Sequence, residues 1–288
     1  MRIRSLKSVL ALSCGLLSLA MSAGAQEEKA LPLKPFADAD HVIYTPTTDG
    51  TKRIPKAVNL TYHGGPVIKM ARVVFLFWGP SFASGGADHT YATTLQADRN
   101  QFGMSPEYNV ITQFPGIMLT DLGAGTPDWF DTTTPPTNVT DSTVRSEINR
   151  YLASHAFDDS TIYEVVIPKT SYSSSGTSTS CGGPSLSYCA YHGHYSSGAN
   201  DVKYSIQPYP SCSGCKVSGW SDVQNQERFF CHETREAVTD PDLNGWYDGN
   251  GNECDDKCAW VPTPFIGTNG YACQYEWANA CSCCVKTR

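Results

Sequence analysis

Beyond its first 25 residues the sequence has no apolar run that could cross a bilayer, which takes about 20 residues, and it has no internal repeat. Cations are scarce. The 21 Lys and Arg face 28 Asp and Glu, and three of those cations, Arg2, Arg4 and Lys7, lie in the first 25 residues. The remaining 263 residues therefore hold 18 cations against 28 anions, a net charge of −10. Nucleic acid and anionic membranes would repel such a chain, which sets both aside as partners. A GxSxG element is also missing, and no serine or cysteine triad assembles from local motifs.

What the N-terminus does contain is a signal-peptide pattern. A basic start is followed by the apolar stretch Val9 to Ala20, too short to span a membrane, and then by the small residues Ala23-Gly24-Ala25. Residues 1–25 are read as a removable signal and Gln26 as the mature start. Cys14 lies inside the apolar stretch and not after it, which argues against a lipoprotein. Eleven of the 12 cysteines follow the signal, nine of them between Cys212 and Cys284. In a secreted protein this density predicts disulfides, including ordinary disulfides for the CxxC pair Cys212 and Cys215. Because eleven is odd, one thiol is free, ligates a metal or pairs with another chain.

Residues 26–60, rich in Pro, Thr, Lys and Asp, are expected to form an extended leader, and 61–288 a single domain. The run Val73 to Trp78 is apolar on both faces and predicts a central strand. The pattern then predicts a helix over 88–104, a strand over 109–119 and a Thr/Pro-rich loop over 131–138. A helix capped at Asp141 or Ser142 follows, with Val144, Ile148 and Leu152 on one face. A buried strand over 162–167 and a flexible loop over 171–180 complete this part. Strands alternating with helices predict an α+β fold with a mixed, partly parallel sheet and crossover helices. The Cys- and Gly-rich remainder reads as irregular, disulfide-stapled structure attached to that sheet.

The chemistry concentrates between Ser221 and Asp256. Ser221 and Gln224 form a capping box for a helix that must end near Pro241. On that helix His232 and Glu236 are four residues apart and project from one face, with Glu233 beside them. This is the layout of the HExxH helix of zinc peptidases with Glu in place of the second His. There the outer pair holds the metal and the inner Glu acts as general base. Further ligands are expected from Glu253 and Asp256 downstream and from His192 or His194 upstream. A buried hydrogen-bonded pair or a salt-bridged helix face is the competing explanation of His232 and Glu236. The loop 240–256 also resembles the start of a calcium loop at Asp240, Asp242, Asn244, Gly245 and Asp248. It lacks the closing Glu, since Gly251 stands at position twelve. Trp246, Tyr247 and Trp260 are read as core packing or as a sugar-stacking surface.

At several segments the chain resembles the phosphate-induced, or exordium-like, family of secreted proteins. These are Leu60-Thr61-Tyr62-His63-Gly64-Gly65-Pro66-Val67 and Cys189-Ala190-Tyr191-His192. His232-Glu233 with Glu236, Thr239 and Pro241 follows, then Asn244-Gly245-Trp246-Tyr247. Glu253, Asp256 and Cys258, and finally Gln274 to Ala280, complete the series. The resemblance implies secretion and an extracellular or cell-wall setting, with growth-related roles in plant members. Cys212, Cys215, Cys281, Cys283 and Cys284 depart from the pattern of the plant proteins.

Together these readings predict a secreted zincin-like metalloprotein, a zinc-dependent peptidase acting on extracellular peptides. Its expected metal set is His232, Glu236 and Asp256 completed by His192 or Glu253, with Glu233 as base. The alternative is a non-catalytic extracellular binding or signalling protein, for which a cell-wall component is the partner.

Overall fold

The first strand of the main sheet, β1 (His41–Tyr44), comes from the leader. β2 (Thr61–Tyr62), β3 (Arg72–Trp78) and helix α1 (His89–Phe102) follow, then β4 (Trp129–Asp131), β5 (Asn138–Thr140) and α2 (Asp141–Leu152). Next come β6 (Thr161–Val166), β7 (Tyr172–Ser175), β8 (Ser178–Thr179), β9 (Ala190–Ser197) and β10 (Asn200–Gln207). The long helix α3 (Asp222–Thr239) precedes the short strands β11 (Trp246–Tyr247), β12 (Phe265–Ile266), β13 (Ala272–Cys273), β14 (Glu276–Ala278) and β15 (Cys283–Val285). The structure, a computed structural model, describes residues 41–44 and 58–288 apart from positions 126 and 261. The signal segment 1–25 and most of the leader lie outside the described residues. Among the described residues no helix is long and apolar enough to cross a membrane.

Six strands form one mixed sheet in the order β1-β9-β10-β6-β3-β4. β10, β6, β3 and β4 run parallel to their neighbours in that series, whereas β9 pairs antiparallel with both β10 and β1. The fold is thus α+β with a partly parallel sheet, as the alternation of elements predicts. Side-chain alternation divides the core in two. Val73, Phe75 and Phe77 of β3 pack on one face with Leu95 and Phe102 of α1 and Phe230 and Val238 of α3. Val74, Leu76 and Trp78 pack on the other with Val144 and Ile148 of α2. A strand covered on both faces needs apolar residues at every position, which is why β3 is so plain in the sequence.

Three expectations fail. The segment 109–119 is no strand: Tyr108–Gln113 is a short 3-10 helix that buries Tyr108, Val110 and Ile111, and Pro115-Gly116 follow at once. Closely spaced apolar residues suit either conformation, and burial chose the tighter one. Residues 171–180 include β7 and β8, which with β5 make a three-stranded sheet. The Cys- and Gly-rich region after residue 180 is not uniformly irregular, because β9 and β10 are full members of the main sheet. They form a hairpin whose two-residue connection starts at Gly198, held at φ +63°.

The helix termini follow their sequence signals closely. Ser221 Oγ accepts from the Gln224 amide (3.3 Å) while Gln224 Oε1 accepts from the Ser221 amide (2.9 Å), so the capping box of α3 is present. The cap of α2 is Thr140, one residue before the expected position, with Oγ1 accepting from the Thr143 amide.

Among the described residues five disulfides join Cys181 to Cys212, Cys189 to Cys215, Cys231 to Cys273, Cys258 to Cys284 and Cys281 to Cys283. The first four close separations of 26 to 42 residues, each worth about 3.5–4 kcal/mol on the chain-entropy account. Cys254, buried, is the free thiol among the described residues.

Glu147 gives a pH prediction for stability. It is buried on α2, and burial first, then the adjacent Asp131, push its carboxyl up to about 8, although Arg150 Nη1 donates to it at 2.6 Å. A carboxyl raised in the fold stabilises it below the unfolded value and loses that contribution as pH rises through the folded one. Stability should therefore fall between about pH 5 and pH 8, by up to about 1.4 kcal/mol per pH unit from this group. Thermal melting across that range should be flatter in Glu147→Gln than in the native chain. An identical slope in both would contradict the assignment.

Candidate metal centre

Helix α3 is buried along almost its whole length, from Asn225 to Thr239, although much of that stretch is polar. Buried polar groups need partners, and the sheet supplies them. On β9 and β10, Tyr191, Tyr195, Val202, Tyr204 and Ile206 join the α2 face of the core. The alternate residues His192, Ser205 and Gln207 therefore lie beneath α3, together with Glu164 of β6. Gln207 Nε2 donates to Glu164 Oε2 (2.8 Å), and Thr234 Oγ1 of α3 donates to Glu164 Oε1 (2.8 Å). This polar face is what hid β9 and β10 in the sequence: a strand with one polar face reads as solvated, but here that face is covered.

Onto this platform α3 projects His232, Glu233 and Glu236, and the 253–256 segment folds back over the helix. His192 Nε2 lies 3.0 Å from Glu253 Oε2 and 3.9 Å from Glu236 Oε2. His232 Nε2 lies 3.2 Å from Glu236 Oε2 and 3.7 Å from Asp256 Oδ1. Three triads with mutually close donor atoms share Glu236: His192-Glu236-Glu253, His232-Glu233-Glu236 and Glu236-Cys254-Asp255. All seven of these residues are fully buried, while the Asp256 side chain retains 16 % exposure. Of the six expected residues, the structure brings every one to the same place.

The carboxyl at the centre is divided in function. Glu236 Oε1 accepts from the amides of Asp255 (3.2 Å) and Asp256 (2.9 Å), which aims Oε2 at the two imidazoles. Asp256 is held likewise, its Oδ2 accepting from the Glu253 amide (3.3 Å). The proton on His232 is assigned from its partners. Gln274 Nε2 donates to the Asp255 carbonyl (2.9 Å), so Gln274 Oε1 faces His232 Nδ1 (3.3 Å) and accepts its N–H. Burial, outweighing Asp255 and Asp256, pulls the His232 pKa down and keeps the ring neutral. The Nε2 lone pair therefore points at the Glu236 oxygen, where a shared proton or a cation serves both atoms.

Carboxylates outnumber cations around this point. The nearby guanidinium of Arg235, fully buried, is engaged by Asp255 through Nε (3.1 Å) and Nη2 and by Glu276 at 3.4 Å. Glu233 has no hydrogen-bond partner at either oxygen among the described residues. Burial first, and then Glu236 and Asp256, push its pKa well up. An orphaned carboxyl, a neutral imidazole facing a second carboxyl and a ring of further acceptors suit a cation site. Donors of a four-coordinate zinc with nitrogen and oxygen ligands lie about 3.4 Å apart, and the separations of 3.0, 3.2 and 3.9 Å bracket that value. The residues present thus fit zinc.

Other candidates go elsewhere. His194 pairs with Asp201 (2.8 Å) outside the cluster. In the proposed calcium loop Asp242 pairs with Lys203 and Asp248 with Lys257 (2.9 Å), while Asp240 caps the Gly245 amide. Trp260 lies under Arg228, 4.0 Å from the ring centroid to the guanidinium carbon, a packing role. Sequence reasoning missed Arg235, Asp255, Gln274 and Glu276, which organise the ligands from behind. The segments that carry the family resemblance also meet: β2 pairs with β11, and Asn279 brackets Leu60 through both backbone groups, at 3.0 and 2.9 Å. Gly65 is required there, because a Cβ would fall 2.7 Å from the backbone carbonyl carbon of Asn244. No protein-family model, curated protein or solved structure matches the chain.

Proposed function

We propose that the chain is a secreted, zincin-like zinc metalloprotein that hydrolyses peptides outside the cell. The zinc would be held by His192, His232 and Glu236, which leaves a fourth position for water, with Glu253 and Asp256 beside it. One observation carries the reading: two imidazoles and the carboxyls of Glu233, Glu236 and Glu253 converge, buried, with donor atoms within ligand distance of one another. A zinc ion supplies Lewis acidity, polarising a carbonyl and acidifying a water. The protein's own residues do the rest. Glu236 and the two imidazoles orient the centre, and Gln274 keeps the proton of His232 on Nδ1. Glu233, with both oxygens lacking hydrogen-bond partners, would be ionised by the adjacent cation, accept a proton and return it to the departing nitrogen. The disulfides and the resemblance to exordium-like proteins support the extracellular setting.

The complete burial of the two histidines and three glutamates favours a second reading, a closed metal centre in a non-catalytic binding protein. Glu233→Gln separates the two. For a peptidase it should retain zinc while peptide hydrolysis falls by roughly 10²–10⁴-fold. A native, zinc-loaded chain that cleaves no peptide of a diverse library, or a Glu233→Gln variant as active as the native chain, would overturn the peptidase reading.

A further inference from the structure

Four of the five disulfides have at least one buried sulfur-bearing residue: Cys181, Cys189, Cys215, Cys231, Cys273 and Cys258 are all below 5 % exposed. Cys281–Cys283 differs. Both of its cysteines are exposed, and the bridge spans a sequence separation of only 2, against 26 to 42 for the others. The residue enclosed in this ring, Ser282, is held at φ +51°, the left-handed conformation that closes a hairpin loop. Opening the ring frees almost no chain, because so short a closure adds little to stability. The ring sits at the tip of the β14–β15 hairpin, where Ala278 pairs with Cys283. The neighbouring bridge Cys258–Cys284, anchored on buried Cys258, remains to hold β15 in place.

We propose that Cys281–Cys283 is a thiol–disulfide exchange site that reacts with an external dithiol while the other four bridges stay intact. A thiolate of the dithiol attacks one of the two sulfurs. The Cys281–Cys283 bond breaks, a mixed disulfide forms, and the other cysteine leaves as a thiolate that is protonated by water. The second thiol of the reagent, deprotonated, then attacks the mixed disulfide and releases the remaining cysteine. The protein bridge is thereby reduced by two electrons and the dithiol is oxidised to its disulfide. Exposure marks labile bridges off from the buried structural ones.

Titration of the oxidised full chain with dithiothreitol under native conditions, quenched by alkylation and read by peptide mapping, tests this. Cys281 and Cys283 should acquire label together, at a dithiothreitol concentration at least tenfold below that needed for Cys258 and Cys284. Buried Cys254 should stay unlabelled, which reports that the fold is intact. First labelling at any other bridge, or labelling of Cys281 and Cys283 only together with Cys254, overturns the proposal.

Discussion

Replacing Arg235 with Met should lower the melting temperature of the disulfide-intact protein by roughly 6–20 °C. The guanidinium is fully buried and donates to the carboxylate of Asp255 and to the carbonyls of Glu107 and Gln274, each at 3.3 Å, while Glu276 lies 3.4 Å away. Its removal leaves two buried carboxyls without their cation, which costs about 3–5 kcal/mol, and in a domain of this size each kcal/mol moves the midpoint by about 2–4 °C. Arg72→Met provides the contrast, since the Arg72–Asp158 pair is half exposed and such pairs contribute about 0–1 kcal/mol. Equal shifts in the two variants, by calorimetry, would contradict the account of the buried network. Asp255 also presents its amide to Glu236, so the Arg235 variant should bind zinc more weakly as well.

His232→Ala should reduce zinc affinity by more than the roughly 10–100-fold that loss of a supporting partner costs. Gln274→Ala should fall within that smaller range, because it removes only the acceptor that fixes the tautomer of His232. Competition with a chromogenic chelator measures both. If the two variants lost affinity equally, His232 would be acting through the network and not as a ligand. His194→Ala, whose ring pairs with Asp201 away from the cluster, should bind zinc as the native chain does.

Local signals were legible wherever burial and periodicity agree. The doubly apolar β3, the capping box of α3 and the apolar stripe of α2 each mean one thing only. They placed the central strand, the site helix and the mixed sheet. Ambiguity entered at 109–119, where short apolar spacing fits a strand or a tight helix. The hairpin β9–β10 was hidden for a different reason: its polar face, His192, Ser205 and Gln207, is covered by α3 and not by water. Within the centre, His232, Glu233 and Glu236 follow from helical geometry, and Glu253 and Asp256 from their place in the downstream acidic loop. The supporting shell did not follow. Asp255 meets Arg235 across 20 residues and Gln274 meets His232 across 42, and no periodicity relates such positions. A helix with FFCHETREAVT in its buried half does carry one usable hint, since so many buried polar groups demand a matched second layer.

X-ray absorption spectroscopy of the zinc-loaded protein tests the central claim most directly. The account predicts one zinc per chain with two imidazoles, the remaining ligands oxygen at about 2.0–2.1 Å and no sulfur, because Cys254 is not in the ligand set. A zinc–sulfur distance near 2.3 Å, a single imidazole, or a chain that takes up no zinc would contradict it.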